Sequence, residues 1–108
     1  PKFPVATTLR FLQHPLVRES APEAAAATAR ALAAMADSDL RDADGGFFRY
    51  ATQRDWTVPH YERMLTDNAQ LLDVARDAGD ERIVRGIASF LIDVLRRDGG
   101  GFGAAQDS

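Results

Sequence analysis

The sequence predicts an all-α fold, on the basis of its alanine content, its apolar periodicity and the placement of its proline and glycine residues. Nineteen of the 108 residues are alanine, against three isoleucines and six valines. Alanine loses the least conformational entropy in a helix, whereas β-branched residues favour strands. Apolar residues recur at helical spacing in several stretches, and proline or glycine separates one stretch from the next. We therefore expect helices packed side by side.

Two helices are predicted in the first half of the chain. A short helix should span about Val5–His14, because Pro15 cannot continue it. Ser20 and Glu23 have the spacing of a capping box, which would begin a second helix. That helix should run to about Asp37, since ten of the nineteen alanines fall within it.

Two further helices are predicted in the second half. The first of them should begin at Pro59 and continue to about Ala78. Gly79 is a typical helix stop and Asp80 a typical helix start. The last helix should then end near Arg97, where positive charge complements the helix dipole.

A weak internal repeat divides the chain into two helical hairpins. Gly-Gly-Phe occurs in the segment 44–47 and again in 98–102, with the phenylalanines 55 residues apart. Repeats of this length are typical of stacked supersecondary units. The hairpins would span about 5–44 and 59–98, each followed by its glycine loop. The alternative is a chance recurrence in a helical protein that contains eight glycines.

Composition excludes several classes of function. Hydrophobic residues make up 45% and charged residues 27% of the chain, as in ordinary globular domains. No apolar run approaches the roughly 18 residues of a membrane span. The net charge of −3 argues against nucleic acid, because no basic excess exists to neutralise phosphates. The absence of cysteine excludes disulfides and thiol chemistry within these residues.

No histidine or acidic cluster has metal-binding spacing, so we expect no metal and no cofactor. No targeting peptide is visible, which gives a cytoplasmic default.

The segment 47–62 has the composition of a small-molecule site. Five of the nine aromatic residues lie within it, interleaved with arginine, aspartate, histidine and glutamate. Apolar faces beside a few directed polar groups suit a sugar, whose ring can stack while its hydroxyls form hydrogen bonds. The alternative is that these aromatic residues fill the core and that the charges are solvated.

One segment resembles a known protein family. It spans residues 45–72 and reads GGFFRYATQRDWTVPHYERMLTDNAQLL. Together with GGGFGAAQDS at 99–108 and PKFP at 1–4, they closely resemble the thioredoxin-domain-containing proteins of the spermatogenesis-associated protein 20 group. The resemblance implies a longer protein with an N-terminal thioredoxin-like domain and a C-terminal (α/α)6 toroid. That toroid is similar to N-acylglucosamine 2-epimerases and six-hairpin glycosidases. Residues 1–108 would then be its first two hairpins, without the thioredoxin-like domain.

In that setting the glycine-aromatic loops would feed a central pocket that holds a sugar-like molecule. The candidate catalytic residues, which would handle protons or supply a carboxylate pair, are His60, Glu62 and Asp67. The candidate substrate-binding residues, which would stack on a ring or orient its hydroxyls, are Arg49, Tyr50, Trp56, Asn68 and Gln106. The partner base would come from later hairpins, so the chain alone should be inactive.

A non-enzymatic role is the alternative hypothesis. The helical region would then be a scaffold or partner-binding module, with the same motif serving to pack one hairpin against another. Where the polar side chains point discriminates the two hypotheses: convergence on an open concavity favours a site, whereas saturation by backbone partners favours a scaffold. Two hairpins alone would leave apolar helix faces open, so self-association of the chain is also expected.

Overall fold

The computed structural model describes residues 2–107, with side chains as far as Gln106; Pro1 and Ser108, which belong to the predicted motifs, lie outside the described residues. The α-helices are α1 (Ala6–Leu12), α2 (Pro15–Ser20), α3 (Pro22–Ala36), α4 (Leu65–Ala78) and α5 (Glu81–Phe90), and a π-helical segment (Leu91–Leu95) continues α5. The strands are β1 (Tyr50–Ala51), β2 (Pro59–His60), β3 (Glu62–Met64) and β4 (Ala105–Asp107).

The fold is mixed, so the all-α prediction is wrong. Helices account for slightly more than half of the described residues, and the four strands contain ten residues. Strand β1 pairs with β2 and strand β3 pairs with β4, both antiparallel, to form two small sheets. The second sheet joins residues more than 40 positions apart in the chain. Composition and local periodicity do not report such long-range pairing, because it depends on which backbone groups the tertiary fold brings together.

The third predicted helix begins six residues later than expected. Helix α4 starts at Leu65 instead of Pro59, because residues 59–60 form β2 and residues 62–64 form β3. Tyr61 therefore lies outside α4, although the predicted helix range of Pro59 to Ala78 included it. The end of α4 is confirmed: Gly79, at φ 76°, forms its left-handed C-cap.

The region before α3 contains one helix more than the sequence predicted. Pro15 ends α1 but also occupies the first turn of α2, and His14 Nδ1 accepts a hydrogen bond from the Leu16 amide at 3.2 Å. The predicted capping box is not formed. Ser20 is the last residue of α2, and α3 begins after Ala21 without a side-chain cap.

Helix α4 lies at the centre of the fold, against α1, α3 and α5. The predicted start of α5 is confirmed, because the Asp80 carboxylate accepts a hydrogen bond from the Ile83 amide at 3.1 Å. The fully buried side chains of the core are Leu32, Met35, Leu40, Phe47, Leu71, Val74, Ile83, Ile87 and Phe90. No helix in the described part of the chain is long and apolar enough to cross a membrane.

Candidate functional site

The β1–β2 hairpin brings three aromatic rings into one row. Tyr50 and His60 are directly opposite each other in the register, and their ring centroids are 4.8 Å apart. Phe3 also contacts Tyr50, with 4.8 Å between the two ring centroids. Because Phe3 and His60 remain exposed, this aromatic row (Phe3, Tyr50, His60) offers a surface on which a ligand ring can pack.

Arg49, the residue before β1, is held against Glu62, the first residue of β3. The Arg49 amide donates a hydrogen bond to the Glu62 carbonyl at 2.8 Å. Their side chains also form an ion pair, with 3.2 Å between Arg49 Nη1 and Glu62 Oε1. Asp67, in the first turn of α4, lies close enough for both charges to act on its carboxyl group. These three residues, the carboxylate cluster, combine two acids with one cation.

An open cleft of about 300 Å³ lies beside the carboxylate cluster. Its walls are the start of the chain, with α1, and the first two turns of α4. The lining residues are Phe3, Pro4, Val5, Ala6, Thr7, Thr8, Arg49, Asp67, Gln70 and Leu71. The cleft, called the Arg49 cleft below, therefore presents one cation, one acid, an amide and two hydroxyls beside apolar walls.

Burial raises the pKa of the Asp67 carboxyl above its ordinary value of 3.8. Arg49 opposes this effect, and the negative charge of Glu62 adds to it. A carboxyl group with a raised pKa keeps its proton closer to neutral pH, so it is suited to donate a proton.

We expect Asp67→Asn to stabilise the fold at neutral pH. The raised pKa means that the folded state binds this proton more tightly than the unfolded state, so Asp67 costs stability once it is ionised. This loss of stability begins as the pH rises above 3.8, the ordinary pKa of the carboxyl group. It is complete once the pH exceeds the raised pKa that Asp67 has in the folded state. Urea unfolding from pH 3 to pH 8 measures it. The free energies of unfolding of the variant and the unaltered protein should become equal at low pH. Asp77→Asn, an exposed change on the same helix, should not show this pH-dependent gain in stability.

Asn68 does not line the Arg49 cleft. Its side chain is fully buried and directed at the loop before β1. Its Oδ1 accepts a hydrogen bond from the Phe47 amide at 2.8 Å, and its Nδ2 donates to the carbonyls of Phe47 (3.0 Å) and Met64 (2.9 Å). The amide group is thus occupied by backbone partners and fixes the loop that carries Arg49.

Gln106 belongs to a second polar cluster, centred on Arg63. Its Oε1 accepts hydrogen bonds from the Tyr61 hydroxyl at 2.8 Å and from the guanidinium of Arg63. Arg63 is 3% exposed and donates to both carboxylate oxygens of Asp44, at 2.6 and 2.7 Å. Its guanidinium also lies 4.4 Å from the Phe90 ring centroid. This Arg63 cluster joins β3, β4 and the first glycine loop.

Trp56 lies in the β1–β2 loop, where its ring is covered. The side chain is 9% exposed, and the Lys2 ammonium lies 4.1 Å from the ring centroid. Lys2 Nζ also donates a hydrogen bond to the Arg54 carbonyl at 2.9 Å. Trp56 and Val58 adopt left-handed backbone conformations, at φ 67° and 53°, which are uncommon outside glycine.

The structure therefore separates the eight predicted site residues into three sets. Arg49, Glu62 and Asp67 form the carboxylate cluster, of which Arg49 and Asp67 line the Arg49 cleft, and Tyr50 and His60 belong to the aromatic row. Trp56, Asn68 and Gln106 contact other parts of the chain. Within residues 2–107, no group of three or more histidine, cysteine or acidic side chains is arranged to hold a metal ion.

Sequence reasoning missed Phe3 and Arg63. Phe3 joins the aromatic row through the pairing of Lys2 with Ala51, which places the start of the chain beside β1. Arg63 becomes buried and bonded to several partners because β3 pairs with β4. A buried arginine requires acidic partners, and Asp44 was visible in the sequence, but no local pattern linked the two.

No family model matches the chain. It is similar over its whole length to spermatogenesis-associated protein 20 of Mus musculus (36% identity) and of Homo sapiens (37% identity). It is also 33% identical to an uncharacterized protein of Caenorhabditis elegans. The chain spans about 15% of the length of the mammalian relatives and 17% of the nematode protein.

Proposed function

From the premise that the chain is homologous to a segment of spermatogenesis-associated protein 20, we propose that it forms one wall of a site for a sugar-like small molecule in a longer protein. In this proposal the chain contributes two helical hairpins to a toroid of such hairpins, and the longer protein also carries a thioredoxin-like domain. The observation that carries the proposal is the convergence of Arg49, Glu62 and Asp67 beside an open cleft.

The polar groups of the cleft suit a polyhydroxylated ligand. Arg49 donates hydrogen bonds, Gln70 both donates and accepts, and the hydroxyls of Thr7 and Thr8 do the same. The aromatic row reaches the cleft through Phe3, which contacts Tyr50 and also lines the cleft. Directed polar groups beside apolar surface are the usual composition of a small-ligand site.

The two carboxyl groups support proton transfer to or from such a ligand. Asp67, with its raised pKa, is the candidate acid, and Glu62, paired with Arg49, is the candidate carboxylate base. His60 is exposed beside Tyr50 and offers a second proton carrier. Both isomerisation next to a carbonyl and hydrolysis need a further group on the opposite face of the ligand. We propose that residues outside this chain supply it, so the chain alone binds without turnover.

Saturation-transfer NMR of the 108-residue chain with glucose, mannose and N-acetylglucosamine tests this proposal. We expect weak, saturable binding, and about tenfold weaker binding in Arg49→Met because hydrogen bonds from a charged donor contribute about 1.5–3 kcal/mol. Arg85→Met is the matched control, since Arg85 is an exposed arginine on α5, away from the cleft. Absence of sugar binding in the unaltered chain, or equal binding by Arg49→Met, would contradict the proposal.

A scaffold role is the second candidate, and the bonding of Asn68 and Gln106 favours it. Both residues were expected to bind a ligand, and both bond to other parts of the chain instead. If Arg49 has the same role, Arg49→Met should lower stability through loss of the Glu62 ion pair and leave sugar spectra unchanged.

A further inference from the structure

The two glycine loops share one hydrogen-bond pattern, although the fifth residue has a positive φ only in the second loop, where Gly101 is at 71°. In the first glycine turn (residues 42–47) and the second glycine turn (residues 97–102), the amide of the first residue donates to the carbonyl of the fifth at 2.9 Å. The amide of the fourth residue donates back to the first carbonyl, at 2.9 and 3.1 Å respectively. The fourth residue is a glycine with positive φ in both, 93° and 102°. Equivalent residues, 55 positions apart, are Leu40 and Leu95, Asp42 and Arg97, Gly45 and Gly100, Gly46 and Gly101, and Phe47 and Phe102.

Helix α5 crosses the first glycine turn at very close range. A Cβ atom built on Gly86 would lie 3.2 Å from Gly45 Cα, so the two backbones are nearly in contact. One helical turn later, the Phe90 ring lies against Gly46. One helical turn earlier, Arg82 pairs with Asp37 at 3.1 Å. The helix thus contacts the turn through Gly86 and Phe90, and it contacts the C-terminal end of α3 through Arg82.

The second glycine turn has the same hydrogen bonds but no such cover. Among residues 2–107, no atom outside the turn lies within 4 Å of a Cβ built on Gly99, Gly100 or Gly101. Phe102 is 45% exposed, whereas the equivalent Phe47 is fully buried. Ile92, which is equivalent in number to Asp37, is 46% exposed. The second turn therefore faces solvent, with the apolar side chains of Phe102 in the turn and of Ile92 before it exposed.

We propose that the second glycine turn is a docking surface for a helix of a further hairpin in the longer protein. The relatives extend far beyond the region that this chain matches, since it spans about 15% of their length, so they contain chain that can supply such a helix. The hairpins inside this chain already show the arrangement. The second helix of the later hairpin, α5, covers the turn that follows the earlier one.

The chemistry of the turn specifies the docking helix. The residue of the docking helix that lies directly over the turn must be glycine or alanine, as Gly86 is in α5. A larger side chain would keep the backbone of the helix away from the backbone of the turn. A large apolar residue four positions later would cover Gly101 and Phe102, as Phe90 covers Gly46. An apolar residue four positions earlier would contact Ile92, in place of the Arg82–Asp37 ion pair. Helix α3 has the same pattern of a small residue followed four positions later by a large apolar one. Its Ala31 and Met35 lie 55 positions before Gly86 and Phe90 of α5.

A peptide of residues 80–95 carrying Arg82→Leu is the probe for this surface. In this peptide Arg85 is replaced by lysine, and a lactam joins that lysine to Glu81 in place of the exposed Glu81–Arg85 ion pair. The lactam holds the peptide in a helix, which circular dichroism verifies. Titrated into the isotope-labelled 108-residue chain, it should cause saturable shifts in the amide signals of Gly99–Phe102 and of Ile92.

A peptide that also carries Gly86→Leu is the matched control, and it should bind at least tenfold more weakly because its side chain prevents close approach. Equal binding of the two helical peptides, or no shift at Gly99–Phe102 from either of them, would overturn the proposal. Shifts of these signals on concentrating the chain without peptide would identify a second copy as the occupant and would overturn it as well. None of these outcomes depends on sugar binding.

Discussion

Gly45→Ala is expected to destabilise the protein by about 3 kcal/mol, from overpacking and left-handed backbone strain together. Gly45 has φ 93°, a conformation that disfavours residues with a Cβ. The added Cβ would also overlap the carbonyl of Gly86, which belongs to the backbone of α5 and cannot rotate away. In a chain of this size, the loss corresponds to a fall in Tm of about 10–20 °C.

Gly99→Ala is the matched control for this prediction. Gly99 precedes the positive-φ glycines of the second glycine turn, and its added Cβ would meet no atom of the described residues within 4 Å. We expect its Tm to stay within about 3 °C of the unaltered protein, consistent with an effect below about 0.5 kcal/mol. Similar Tm values for the two variants would show that α5 does not cross the first glycine turn closely in solution.

Asn68→Ala is expected to cost about 3 kcal/mol, because it leaves the amide and carbonyl of Phe47 and the carbonyl of Met64 without their partner. Each buried polar group that loses its hydrogen bond costs about 1–3 kcal/mol, and relaxation recovers part of the sum. Urea denaturation at pH 7 measures the loss. Gln70→Ala, on the same helix, is the control and should cost less than about 1 kcal/mol, since Gln70 is only partly buried.

Asn68→Asp separates hydrogen bonding from packing at this position. An ionised carboxylate can still accept from the Phe47 amide, but it would face the carbonyl oxygens of Phe47 and Met64 without a proton to donate. Burial and this repulsion would raise its pKa, so the variant should recover stability as pH falls through that value. A variant whose stability does not depend on pH would indicate that the Asn68 amide is not bonded as described.

Local signals predicted the part of the fold that local interactions determine. Gly79 and Asp80 end one helix and begin the next through caps that involve neighbours in sequence. The buried stripe of α5, with Ile83, Ile87 and Phe90, follows directly from helical periodicity. The sheets were missed because the partners of β3 are residues 105–107, which no local pattern connects to it.

The candidate site was predicted in part for the same reason. The residue types of Arg49, Glu62 and Asp67 predict a shared polar site, and the structure places the three together. The same argument predicts ligand contacts for Asn68 and Gln106, yet their partners are backbone groups and a buried arginine. Residue type indicates what a side chain can bond to, whereas the choice between a ligand and the protein itself depends on the packing around it.

The pairing of β3 with β4 also has a consequence for the order of folding. The α4–α5 hairpin needs only nearby contacts, so it can form early, whereas the β3–β4 ladder must close a loop of about 40 residues and forms late. Glu62 is the first residue of β3, and its carbonyl and carboxylate both hold Arg49. The geometry of the Arg49 cleft is therefore completed only when residues 105–107 have joined the sheet, and a nascent chain that has not yet exposed them would carry the helices without the finished cleft.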